Sequence, residues 1–156
     1  MDWTSASNAV VSLLVASLLG ALVGFERQLH GRWAGLRTHI MVSLGAAVFI
    51  AASVQMTARL EASATLAVDC ASRVIQGIAA GVGFLGAGTI LKMADRMEIK
   101  GLTTASSIWL AAAIGTASGL RLYLLAVTGT LISLVVLAML RPAEKRWDRD
   151  NVPPRQ

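Results

Sequence analysis

Few residues in this chain of 156 are suited to chemistry, and they sit at fixed places between apolar runs. Glu26 and Arg27 stand side by side, with Arg32 and Arg37 just after them. One acid beside three guanidinium groups is the composition of an ion-pair cluster. Ordinary positive flanking of a membrane helix would explain the arginines and leave Glu26 unexplained. His30 and His39 lie nine residues apart with no Cys or second carboxylate near them, so metal-ligand spacing is absent and both read as interfacial polar residues. Cys70 has no base partner in sequence and reads as a bystander, not a nucleophile. Arg73 follows Asp69 by four and is placed to pair with it or to snorkel. Thr103, Thr104, Ser106 and Ser107 form a hydroxyl cluster fit to cap a helix or to bond across helices. No hydrolase elbow, phosphate loop or zinc motif occurs. The chemistry on offer is ion pairing and hydrogen bonding; no catalytic residue, metal site or cofactor is expected.

The elements that carry these residues follow from charge placement. Hydrophobic residues make up 55% of the chain, charged ones only 15%, and mean hydropathy is +0.64, far from a soluble or disordered composition. A single Cys excludes an intrachain disulfide framework. The pI near 10.4 suits nucleic acid on its face, but the basic residues sit between apolar runs and only 5% of residues are aromatic, so no nucleic-acid partner is expected.

A charge at the bilayer centre is costly, and a span needs about 17–25 helical residues. Five charge-free gaps reach 18 to 23 residues, and no other exceeds seven. They predict an all-α polytopic membrane protein of five transmembrane helices, over about 5–25, 38–58, 74–91, 102–119 and 122–140. These make one domain, 1–141, followed by a short basic tail, 142–156. Eleven of the 14 Lys and Arg fall in the first loop, the third loop and the tail, against Arg59, Arg73 and Arg121 on the other side. The N-terminus is therefore expected outside and the tail in the cytoplasm.

In lipid, small residues mark the faces where helices approach closely. Ala16, Gly20 and Gly24 recur every four residues on the first span. Ser43, Ala47 and Ala51 do so on the second, a line that runs on to Gln55 and His39. Thr103, Ser107, Ala111, Gly115 and Gly119 do so on the fourth. On the third span Gly77, Gly81 and Gly88 share one side, while Gly83 and Gly86 lie on the opposite side. Two glycine faces predict a central helix with close neighbours on both sides. Five glycines in twelve residues also weaken it, and leave open either plain packing or a break facing a ligand or ion.

The run Gly20-Ala-Leu-Val-Gly24-Phe-Glu26-Arg27 and then Gly31-Arg32-Trp-Ala-Gly35-Leu36-Arg37-Thr38-His39 resembles the first signature of the MgtC/SapB membrane family. Arg73-Val-Ile-Gln-Gly77 with Gly83-Phe84-Leu85-Gly86-Ala87-Gly88 is similar to its second. Gly101-Leu102-Thr103-Thr104-Ala105-Ser106-Ser107-Ile108-Trp109 with Ala113-Ile114-Gly115 is similar to its third. The resemblance covers residues 10 to 140 in order. It implies a bacterial inner-membrane, multi-pass protein linked to growth under magnesium limitation and, in pathogens, to survival in host cells. It implies no agreed reaction.

Carried over by position, Glu26, Arg27, Arg37, Arg73, Thr103, Thr104 and Trp109 become the candidate functional residues. Three departures stand out. The acid that usually precedes the Arg73 motif falls at Cys70, Arg121 stands where the family often has Gly, and the soluble C-terminal domain of longer members is not expected here.

The functional expectation is a non-enzymatic regulator or interaction partner in the bilayer, associating with other membrane proteins or with itself. The alternative is a small cation (Mg2+) transporter or channel built around the third helix. That alternative predicts a polar cavity lined by Glu26 and the Thr103 and Thr104 hydroxyls.

Overall fold

The computed structural model describes residues 3–93 and 98–151, with side chains described for 6–90 and 100–139. Five helices form, α1 (Trp3–Leu29), α2 (Leu36–Arg59), α3 (Ala64–Gly88), α4 (Leu102–Gly119) and α5 (Tyr123–Asn151). The all-helical architecture expected from the charge-free gaps is present. A small antiparallel hairpin, β1 (Leu91–Met93) paired with β2 (Glu98–Lys100), joins α3 to α4 and was not foreseen. Strands of three residues among alternating charges are too short for periodicity to reveal. The tail residues 152–156 lie outside the described residues, as do the side chains of the basic tail from 140 onward and those of Lys92 and Arg96.

Three helices are long and apolar enough to cross a membrane: α1 from Ala6, α2 and α3. The apolar part of α5, Tyr123–Met139, is shorter. Eighteen-residue α4 carries three Thr and three Ser, which lower its hydropathy. It also buries most of its surface on other helices, so it has the least need to satisfy lipid.

Local signals set the boundaries. Ser63 caps α3 by accepting from the Leu66 N–H at 3.3 Å, so the helix starts ten residues ahead of the charge-free stretch and carries Asp69, Cys70 and Arg73. After Gly88 it ends in a turn without having broken at its five glycines. Gly101 precedes α4 at φ +98°, and a Cβ there would run into the Thr89 carbonyl oxygen, so only glycine fits. Arg121, in the three-residue link between α4 and α5, sits at φ +62°. Left-handed backbone is easiest for glycine, so a non-glycine residue is strained there.

Helix α2 packs between α1 and α4, and α4 touches all four other helices. Helix α3 rests on α2 and α4, and α5 on α4 and α1. The expectation that the third helix is central is thus corrected: α2 and α4 occupy the centre. Ser43 and Ala47 on α2, Ala16 on α1 and Ala111 on α4 are fully or almost fully buried, where their four-residue spacing placed them. A Cβ added to Gly20 would come within 2.8 Å of the His39 carbonyl oxygen, and one on Gly24 within 2.8 Å of Leu36 Cα. On α4, Gly119 would meet Ile50 Cβ at 2.8 Å, and Gly115 would collide with the Ser43 carbonyl. These four glycines are the seats into which α2 fits.

The α3 glycines behave differently. A Cβ on Gly77, Gly81, Gly83 or Gly88 would meet nothing within 4 Å among the described residues, and Gly86 makes only ordinary contact with Ala105. The expected close packing at Gly77, Gly81, Gly83 and Gly88 is therefore not made within the chain. Their backbone needs no neighbour in order to be helical, and spacing alone carries no information on what fills the space.

Candidate functional site

The last turn of α1 brings Glu26, Arg27 and His30 together. Arg27 Nε donates to Glu26 Oε2 at 2.5 Å. The Arg27 side chain is only 3% exposed and that of Glu26 13%, so the pair lies within the protein rather than on its rim. His30 Nδ1 lies 2.9 Å from Glu26 Oε1 and 2.7 Å from the Glu26 carbonyl oxygen. A carbonyl only accepts, so this nitrogen donates to it. Oε1 feels the imidazole without receiving its proton, and stays buried with no hydrogen bond among the described residues, as does Arg27 Nη1. The cluster expected from Glu26 and its neighbouring arginines is real but selective: it uses Arg27 and recruits His30, while Arg32 and Arg37 are exposed.

One layer deeper, two separate sets of hydrogen bonds join three helices. His39, in the first turns of α2, is fully buried. Its Nδ1 donates to the Gly35 carbonyl at 2.9 Å, and its Nε2 meets Ser107 Oγ of α4 at 3.0 Å. The Thr104 carbonyl lies 2.9 Å from the same hydroxyl, whose single proton is shared between the ring nitrogen and the carbonyl. One turn on, Ser43 Oγ donates across to the Ala16 carbonyl of α1 at 2.8 Å. One face of α2 thus binds α4 through His39 and α1 through Ser43, where Gly20, Gly24 and Gly115 let the backbones close.

His39 was read as interfacial and is instead the polar centre of the bundle. The signal lay in the small-residue line His39, Ser43, Ala47, which puts the ring on the contact face. Its partner Ser107 belongs to the equivalent line on α4.

The remaining candidates are dispersed. Thr104 is buried and enters the network through its carbonyl, while Thr103 is exposed. Arg37 and Arg73 are exposed, on α2 and α3. Trp109 is more than half exposed on α4, beside a small apolar cleft shared with Ile75 and Val82 of α3 and Leu125 of α5. Cys70 is a half-buried free thiol. Among the described residues no group of three His, Cys, Asp or Glu is placed to hold a metal ion.

A bundle whose polar groups are spent on joining its own apolar helices defines a helical membrane protein. Comparison with known proteins supplies the family. The MgtC family profile matches residues 13–146, and the chain belongs to that family. It is 39% identical to Protein SrpB of Synechococcus elongatus, over 98% of this chain and 91% of the relative. It is 42% identical to Protein MgtC of Salmonella typhimurium, over 88% of this chain and 54% of the relative. Protein MgtC of Brucella abortus is 39% identical over 91% of this chain and 55% of its own length. The chain therefore spans nearly all of SrpB and about half of the MgtC relatives. No solved structure shows significant similarity to it.

Proposed function

We propose that this chain is a non-enzymatic regulator of the bacterial inner membrane, spanning it five times with the N-terminus outside and the tail in the cytoplasm. Family membership supports a link to magnesium limitation and, in pathogens, to survival in the host. On this reading it acts by contact with other membrane proteins rather than by moving an ion.

The observation that carries the reading is that the buried polar side-chain atoms engage one another or the backbone, Glu26 Oε1 and Arg27 Nη1 alone lacking a hydrogen bond among the described residues. Glu26 is held by Arg27, and His39 is engaged at both ring nitrogens. The Ser107 hydroxyl is buried between the His39 ring and the Thr104 carbonyl, so it has no access to a substrate. The α2–α3 groove, by contrast, is lined by apolar side chains and glycine. A cation path needs polar groups facing a wet passage.

The test is magnesium flux into liposomes holding the purified protein, beside Glu26→Gln and empty liposomes. The regulator reading predicts flux equal to that of empty liposomes at several lipid compositions. Saturable flux that Glu26→Gln abolishes would overturn it in favour of the transporter alternative.

A further inference from the structure

Of the three helices long and apolar enough to cross a membrane, α3 is the least apolar, and it is also the one the rest of the chain covers least. At 100° per residue Asp69, Ser72, Arg73 and Gln76 fall within one sector of about 100°, and all four are exposed. Ala80 and Gly83 continue that sector, which holds no large apolar side chain from one end of the helix to the other. The exposed face of α5 is the opposite. Leu124, Leu131, Ile132 and Val135 stand out from it, as contact with acyl chains favours.

Depth makes the α3 face costly. The helix has 25 residues and is roughly 37 Å long, so a hydrocarbon core of about 30 Å takes up about 20 of them. Centred on the helix, the core puts Gln76 at mid-depth and Arg73 about 4.5 Å from it. Shifted until its inner edge meets Lys92, it still contains Gln76 and reaches about as far as Arg73. Polar side chains at such depth face protein or water and are paired. Asp69 and Arg73 stand one turn apart, yet neither they nor Gln76 make an ion pair or side-chain hydrogen bond among the described residues.

We propose that this polar face binds the same face of a second copy of the chain, Asp69 of each copy pairing with Arg73 of the other. The inference rests on the reading of the chain as a contact-forming membrane protein and names a partner for it.

Charge selects the occupant. Lipid tails offer Arg73 and Gln76 nothing to bond. A helix of another protein would need both an acid and a base at the matching depths, whereas a second copy supplies both by symmetry. Copies inserted the same way are related by a twofold axis along the membrane normal, and such an interface is isologous. If Asp69 meets the partner's Arg73, then Arg73 meets the partner's Asp69. Residues four apart differ by about 6 Å in rise, and packed helices lie about 8–10 Å apart, a gap that an arginine and an aspartate bridge together. Gln76, whose amide both donates and accepts, meets its own counterpart near the axis. Ala80 and Gly83, lacking bulk, let the two backbones approach.

The experiment is energy transfer between donor- and acceptor-labelled full-length protein in liposomes, followed as protein is diluted in lipid. Wild type should associate beyond random proximity. Asp69→Arg and Arg73→Asp each set like charges opposite one another and should weaken association about tenfold or more. Mixed with each other, the two variants should regain it, because each then meets its opposite charges. The control Leu124→Ala, on a highly exposed α5 position, should leave association unchanged. Thermal unfolding verifies that each variant folds; if a reversal does not, Arg73→Gln decides the matter and should weaken association several-fold. Wild type that remains monomeric at every dilution, as a face reserved for another protein requires, would overturn the proposal. So would association that the substitutions leave unchanged. Reversals that weaken association without recovery on mixing would overturn it too, since that is the result of a purely structural role for these charges. Positive magnesium flux would remove the regulator reading while leaving this association intact, so the two failures are distinguishable.

Discussion

Two rows of glycine in this protein have the same spacing and opposite surroundings. Gly20, Gly24, Gly115 and Gly119 lie against α2 so closely that an added methyl group would touch backbone or Cβ atoms. Gly77 and Gly81 face open space. The first set determines how the chain folds; the second has no duty within the fold. Glycine spacing on an apolar helix therefore reports that a helix can approach there, and says nothing of whether that helix belongs to the same chain.

The contrast is open to direct attack. The largest effect is expected at Gly115, where any side chain meets the Ser43 backbone. Gly115→Leu should prevent folding, measured as loss of the monodisperse, thermally cooperative species in detergent. Next is the ion pair that ends α1. Arg27→Leu leaves Glu26 partly buried without its cation and should cost about 2–3 kcal/mol, read as a lowered unfolding midpoint. Ser107→Ala removes the partner of His39 Nε2 and should cost about 1–2 kcal/mol by the same measure. At the far end of the scale, Gly81→Ala should leave the monomer unharmed or stabilise its helix by up to about 1 kcal/mol.

Much of this was legible in the sequence. Charge-free gaps place five helices because charge is excluded from the bilayer interior. Four-residue lines of small residues identify the faces of α1, α2 and α4 that the fold buries. Glu26 next to Arg27 announced an ion pair, since no flanking rule calls for an acid there.

What escaped had physical reasons. The choice of Arg27 over Arg32 and Arg37 depends on how the chain turns after Leu29, where Gly31 takes φ +63°. His39 reads as interfacial because no metal-ligand partner lies near it in sequence, whereas its helical face decides its burial. The place of α3 was misjudged because a glycine face is equally compatible with a neighbour in the chain, in another chain, or with lipid. Charge and hydroxyl placement single out Arg73 and Thr103, as does the family resemblance, and the resemblance alone singles out Trp109; the fold gives each an exposed position without a shared site.

The most direct test of the contrast is a matched pair of single methyl additions, Gly20→Ala and Gly77→Ala, with thermal unfolding followed in detergent at a dilution that keeps the protein monomeric. The filled seat predicts that Gly20→Ala lowers the midpoint by the equivalent of about 1–3 kcal/mol of overpacking, while Gly77→Ala leaves it unchanged or raises it slightly. Equal losses at the two positions would contradict the account, since they would mean that Gly77 too is packed against a helix of its own chain.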